Sequence, residues 1–152
     1  MSPNDWGPPT WNLFHTLAAT VKEHKYPIIS SQLYGFISQI CHNLPCPECS
    51  AHAKLFLSKI NSANLKTKSD FKNMLYVFHN AVNKRKVKQM YKYESLDVYN
   101  SKNIILMFND FAKHFNTNGN MKFISDNFHR KQLLMSFKKW LMQNISHFEI
   151  SG

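Results

Sequence analysis

Cys46-Pro47-Glu48-Cys49 is the stretch of this sequence where residue type and spacing most directly suggest chemistry. Two thiols separated by two residues can hold a metal, form a reversible disulfide, or pack as small hydrophobes. Cys41 is the third and last cysteine. Cys41, Cys46 and Cys49 match the start of a plant-type C-x4-C-x2-C cluster, but the fourth cysteine is missing. Zinc could take the three cysteines with His52 or His42, yet the chain lacks a second paired motif and the knuckle glycines of small zinc modules. We therefore expect no metal. For the redox reading, a helix starting at the pair would set backbone N–H groups and the positive end of the helix dipole against the thiols, favouring thiolate. Pro45 and Pro47 would stiffen the approach. The motif by itself leaves the redox and packing readings open.

A second constellation lies in "FHNAVNKRKVK", residues 78–88. His79 and Asn83 are i,i+4 neighbours on a helix, with Asn80 beside them. Lys84, Arg85, Lys86, Lys88 and Lys92 follow. An imidazole and an amide on an apolar helix that ends in lysines suit an aromatic ring system carrying phosphates. Trp11 and His15 form a matching i,i+4 pair in "WGPPTWNLFHT". Taken singly, each of these residues reads as ordinary core.

Helices must position both groups. Pro8-Pro9 suits a first turn, after which Trp11, Phe14, His15, Ala18 and Val21 recur at helical spacing. Pro27 breaks the pattern, and Ser30 or Ser31 can cap a second helix with Leu33, Phe36, Ile37, Ile40 and Leu44 inward. A third should start near Cys46 or Pro47 and carry Ala53, Leu55, Phe56 and Ile60. Ser69 would cap a fourth, with Phe71, Met74, Leu75, Phe78 and Val82 inward. "SLDVY" (95–99) reads as a short fifth helix. Two further helical patterns cover Ile104–Phe115 and roughly Asp126–Ile145, with a turn at "NTNGN", 116–120. Without a convincing strand, the fold class is all-α: a helical bundle with a four-helix core, a short fifth helix and an extra helical C-terminal extension. We divide the chain at 1–100 and 101–152.

The bulk numbers fit one globular unit of 152 residues, with 43% hydrophobic and 14% aromatic residues and four glycines. The net charge of +10 attracts anions. "MSPNDWGPPT" lacks the apolar segment of a secretory signal, and no apolar run reaches the roughly 20 residues of a membrane span, so we expect a cytoplasmic, soluble protein. A small basic helical module that binds nucleic acid, with or without zinc, is the alternative function. Basic runs bind phosphates regardless of sequence, and that reading leaves Trp11/His15 and His79/Asn83 unexplained.

Read in order, the motifs resemble the Erv/ALR family of FAD-linked sulfhydryl oxidases. The family pattern is W-x-x-x-H, then Y-P, then P-C-x-x-C, then H-N-x-V-N with basic residues after it. Here these are Trp11/His15, Tyr26-Pro27, Pro45-Cys46-Pro47-Glu48-Cys49 and His79-Asn80-Ala81-Val82-Asn83, over about residues 6–100. The resemblance implies an enzyme, a helical bundle cradling FAD, usually as a homodimer. It implies Cys46 as the exposed cysteine that exchanges with substrate and Cys49 as its partner against the flavin. It places Gly7, Trp11, His15, His79, Asn80, Val82 and Asn83 around the cofactor, Lys84 and Lys88 near its phosphates, and Tyr99 as an aromatic against it. Dithiol proteins or a small thiol carrier protein would be the substrates, and molecular oxygen the final acceptor, giving hydrogen peroxide.

The sequence also departs from that pattern. It has no second, shuttle C-x-x-C, and Tyr76 and Tyr93 stand where many members carry a structural disulfide. The stripped-down form resembles the oxidases of large cytoplasmic DNA viruses, which would put it in host cytoplasm or virion. Cys41 has no counterpart in the pattern and reads as a buried free thiol. Residues 101–152 match nothing in it. We read them as extending the bundle or the dimer contact, in preference to a docking surface built on Lys138, Lys139 and Trp140.

Overall fold

The computed structural model describes residues 3–116 and 124–150. Six α-helices carry the fold: α1 Pro3–Thr20, α2 Tyr26–His42, α3 Pro47–Ser58, α4 Lys68–Arg85, α5 Ile104–Phe115 and α6 Ile124–Gln143. Short 3-10 helices cover Ser62–Asn64, Tyr93–Ser101 and Ile145–His147. The expected turn at 116–120 falls, beyond Asn116, outside the described residues. The bundle is all-α, and the extended backbone pairing among the described residues is an isolated antiparallel bridge, Val21 to Phe148.

Two helix starts differ from the expected ones, both at prolines. Pro8 and Pro9 lie inside α1, which begins five residues earlier at Pro3. Pro27 sits at the start of α2 and does not end anything: α2 runs from Tyr26, with Lys25 as N-cap, so neither Ser30 nor Ser31 caps it. A first-turn proline forfeits no intrahelical hydrogen bond, because the first N–H groups have no partner in any helix. At α4 the cap is Thr67 and not Ser69. Thr67 Oγ1 accepts from the Asp70 N–H at 3.1 Å while the Asp70 carboxylate accepts from the Thr67 N–H at 3.0 Å. That reciprocal pair holds the first turn two residues ahead of the expected cap. In α3, Leu57 and Ala53 face the core, whereas Leu55 is exposed and Ile60 lies past the helix end. The segment containing "SLDVY" is 3-10 in form and longer than expected, Tyr93–Ser101.

One buried cluster spans all six helices. Leu13 and Phe14 (α1), Ile37 and Ile40 (α2), Leu57 (α3), Phe71 and Phe78 (α4), Phe108, Phe111 and Phe115 (α5), and Phe137 and Trp140 (α6) belong to it. Each such side chain contributes about 1.5–3 kcal/mol on burial. α1 packs most extensively on α5, and also on α4 and the Tyr93–Ser101 segment, while α2 lies against α3 and α6. Trp140 is part of that packing: its ring lies tilted to Phe36 and edge-on to Phe137, and its indole N–H donates to Gln32 Oε1 at 2.9 Å. Tyr76 and Tyr93 touch each other edge to face, with ring centroids 5.1 Å apart. The Tyr93 hydroxyl also donates to Asn73 Oδ1, fixing the 3-10 segment to α4.

Candidate functional site

The sequence around the cysteine pair builds a helix start that uses sulfur as its cap. Cys46 has extended backbone angles (φ −133°, ψ 106°), and its Sγ accepts from the Cys49 N–H at 3.2 Å. Pro47 then occupies a first-turn position where no N–H is required. Cys46 and Cys49 are joined in a disulfide, with Cα atoms 5.2 Å apart. Cys46 is half-buried and Cys49 is 9% exposed, so the first sulfur is the one a second molecule reaches more easily. Leu44 donates its N–H to the buried Ser50 hydroxyl at 3.0 Å, tying the linker between α2 and α3 to the turn after Cys49.

Facing this end is an aromatic wall from α1 and α4. The Trp11 ring lies parallel to His79, with centroids 4.1 Å apart and planes 6° apart. His15 Nε2 is 2.9 Å from His79 Nδ1, a contact in which one neutral ring donates and the other accepts. Burial, with His79 alongside, pushes the His15 pKa down to about 3. Burial, with the Lys88 charge nearby, pushes His79 down to about 4. Both rings are therefore neutral at neutral pH. Tyr91 stacks on His79 at 5.3 Å, and Tyr99 lies 5.1 Å from His15 with its hydroxyl donating to Asn12 Oδ1 at 3.3 Å. Burial raises the Tyr99 pKa, so its phenol stays protonated.

Two adjoining clefts meet at that wall. One, of about 250 Å³, is mostly apolar and includes Trp6, Phe14, Phe56, Phe78, Cys41 and Cys49 in its lining. The other, of about 200 Å³, is lined by Asn12, His79, Asn83, Lys88 and Tyr99, among others. Gly7, Trp11, Val82 and Lys86 border both. A side chain added at Gly7 would stand in open space, so the glycine keeps this shared rim clear. Arg85 and Lys86 border the first cleft and Lys88 the second, and burial together with Lys88 and Arg85 lowers the Lys86 pKa. Among the described residues no Asp or Glu lines either cleft, and an anionic group there would relieve these cations.

The structure thus brings together Gly7, Trp11, Val82 and Cys49, and on the other side His79, Asn83, Lys88 and Tyr99. His15 stands behind the wall and acts on it through His79. Asn80 lines neither cleft. Its amide donates to the Tyr91 carbonyl at 3.0 Å and accepts from the Tyr91 N–H at 2.7 Å, so it positions Tyr91. Lys84 also lines neither, and Lys86 takes the position expected of it. Helical spacing carried that signal: 79, 82, 83 and 86 share a face and 84 does not. Cys41 is a buried free thiol in the apolar cleft, and burial pushes its pKa up to about 12. The zinc alternative needed Cys46 and Cys49 as ligands, and here they are bonded to each other. Among the described residues no helix is long and apolar enough to cross a membrane.

The model of the Erv1 / Alr family matches residues 8–103. A protein of Invertebrate iridescent virus 6, named by inference as an FAD-linked sulfhydryl oxidase, is 31% identical over 91 residues, 56% of this chain and 82% of that relative. An FAD-linked sulfhydryl oxidase of African swine fever virus (isolate Pig/Kenya/KEN-50/1950) is 34% identical over 85 residues, 53% of this chain and 66% of its own length. The FAD-linked sulfhydryl oxidase ERV1 of Arabidopsis thaliana is 29% identical over 97 residues, 64% of this chain and 50% of its own. The match thus spans less than two thirds of the African swine fever virus relative and half of the plant one. No solved structure matches the chain.

Proposed function

The chain belongs to the Erv1 / Alr family, and on that premise we propose that it is an FAD-linked sulfhydryl oxidase that forms disulfides in protein dithiols through Cys46–Cys49. The observation that carries the reading is Cys49, one half of a disulfide, in the wall of an apolar cleft that shares Trp11 and Gly7 with a second, cationic cleft. An apolar chamber beside a sulfur and a neighbouring chamber bordered by Lys86 and Lys88 fit a flat ring system that carries phosphates. Trp11, His79 and Val82 would hold the rings, with Asn83, Lys86, Lys88 and Tyr99 toward the rest of the molecule. When bound, FAD supplies a two-electron acceptor for the reduced cysteine pair and hands the electrons to molecular oxygen, giving hydrogen peroxide.

The residues of this chain perform the thiol exchange. A substrate thiolate attacks Cys46 Sγ, forming a substrate–Cys46 disulfide and releasing Cys49 as thiolate. A second substrate thiol, after losing its proton, attacks the substrate sulfur of that mixed disulfide. The substrate leaves with its own disulfide and Cys46 leaves as thiolate. The Cys49 N–H at 3.2 Å and the positive end of α3 stabilise that leaving sulfur. The neutral His15–His79 pair places no positive charge against the cofactor rings. The proposal includes a homodimer and a cytoplasmic or virion location, as the resemblance implies.

The test is the visible absorption spectrum of the purified protein, with oxygen uptake on adding dithiothreitol, for the native chain and Cys49→Ser. Flavin absorption in both with uptake only in the native chain is expected. A colourless protein that also fails to take up added FAD would sink the reading.

A further inference from the structure

The family match ends at residue 103, yet α6 reaches the redox end of the molecule. Arg130 of α6 is 6% exposed. Its Nη1 donates to the backbone carbonyl of Asn43 at 3.4 Å, and its Nη2 donates to Asn127 Oδ1 at 2.6 Å. Asn43 is the C-cap of α2 and lies three residues before Cys46. Its carbonyl is among those a helix end leaves without an intrahelical partner, and a cation there also meets the negative end of the α2 dipole.

The linker is therefore held from both sides. Arg130 takes the carbonyl of Asn43, and Ser50 takes the N–H of Leu44. Pro45 and Pro47 fix two of the next backbone dihedrals. What remains adjustable is Cys46, whose extended conformation puts Sγ on the Cys49 N–H. A buried guanidinium costs desolvation unless its N–H groups are bonded, and here they reach both the Asn43 carbonyl and Asn127.

We propose that Arg130 is a positioning residue for the Cys46–Cys49 pair: it clamps the Asn43 carbonyl and so keeps Cys46 Sγ on the Cys49 N–H that stabilises its thiolate. The inference rests on reading Cys46–Cys49 as the redox pair. It gives the C-terminal segment a part in the chemistry that the family-matched residues alone do not contain.

The test uses the full chain carrying Cys49→Ser, which leaves Cys46 as the reachable thiol because Cys41 is buried. The rate of iodoacetamide alkylation is followed against pH with Arg130, Arg130→Lys and Arg130→Met. The methionine variant should raise the inflection pH and slow alkylation at neutral pH about fivefold, with lysine recovering part of the loss. With Cys49 restored, glutathione equilibration should shift about as far toward the disulfide in Arg130→Met, because the dithiol form has lost thiolate stabilisation. Trp140→Phe, which removes the hydrogen bond to Gln32 and loosens α6 elsewhere, should lower thermal stability and leave the inflection in place. A folded Arg130→Met with the native inflection and glutathione equilibrium overturns the proposal, as does an equal shift in Trp140→Phe. Should Arg130→Met not fold, Arg130→Gln is read by the same criteria. None of these measurements needs flavin or oxygen, so failure of the oxidase reading, a colourless protein, is seen separately.

Discussion

The two walls of the cleft are built on opposite terms. The α3 wall puts a sulfur pair at a helix start, with Cys46 half-exposed and held by one N–H and a short proline-bracketed linker. The α1–α4 wall is an aromatic stack whose two imidazoles bond each other and stay neutral. In the proposed oxidase one wall exchanges bonds with a substrate thiol, so its outer sulfur, Cys46, is the reachable one. The other must keep its shape whatever the redox state, so its polar groups are spent internally. A single variant should therefore disable one wall and spare the other.

Cys49→Ser makes that separation sharpest. Thiol-driven oxygen uptake should fall to background, at least about 1,000-fold, since a lone Cys46 cannot re-form the pair. Flavin content should stay near that of the native chain, because the aromatic wall is untouched. Loss of flavin with activity would show that the walls are not independent.

Acid tests the other wall. The folded chain holds His15 and His79 near 3 and 4, against 6.5 for an ordinary histidine. Between those values the unfolded chain binds more protons, so stability falls as pH drops. The loss should begin near pH 6.5, continue to about pH 3 where His15 also takes up its proton, and amount to several kcal/mol, read from urea unfolding at each pH. His15→Asn should flatten the curve, while Cys46→Ser should leave its slope alone. A histidine variant with the native slope would assign the acid sensitivity elsewhere.

Trp11→Ala is the next largest. Trp11 is flat against His79 and edge-on to Phe14 and Phe78. Its removal should cost about 2–3 kcal/mol of stability, less than for a fully buried tryptophan. FAD affinity should fall about tenfold by loss of stacking, measured by flavin fluorescence titration. Alkylation of Cys46 in the reduced protein should not change. An altered rate would mean that the stack also shapes the redox end.

How much of this could be read beforehand follows the same division. Side chains that meet through helical spacing were legible: Trp11 with His15, His79 with Asn83, and the start of α3 at Cys46. The all-α fold and the bounds Ile104–Phe115 were legible for the same reason, a steady apolar period. Groups that meet across the bundle were not. Nothing in the sequence says that Asn80 is consumed by the Tyr91 backbone, or that Arg130 lies 87 residues away from the carbonyl it binds. The basic run was visible as charge and helical spacing separates Lys86 from Lys84, but Lys88 reaches the cleft only through the form of the helix end. A proline in the first turn of a helix and one that ends a helix look alike in one dimension, so the start of α2 at Tyr26 was not legible.

The smallest predicted effect concerns that helix end. Val87 is the one non-glycine residue with positive φ among the described residues, at 56°, and it is 92% exposed. It follows the C-cap of α4, where the Lys88 N–H returns to the Asn83 carbonyl at 2.8 Å and the Val87 N–H to Lys84 at 3.1 Å. This turn favours glycine, and a β-branched residue in it is strained. The turn nonetheless brings Lys88 back beside Asn83 and His79 in the cationic cleft. Val87→Gly should keep that geometry and remove the strain, and glycine's extra chain entropy offsets part of the gain. A net stabilisation of about 0.5–1 kcal/mol is expected, a rise of roughly 1–4 °C in Tm. FAD affinity should hold, because the side chain that disappears borders neither cleft. An unchanged or lower Tm would mean that glycine's chain entropy outweighs the strain that Val87 carries in this turn.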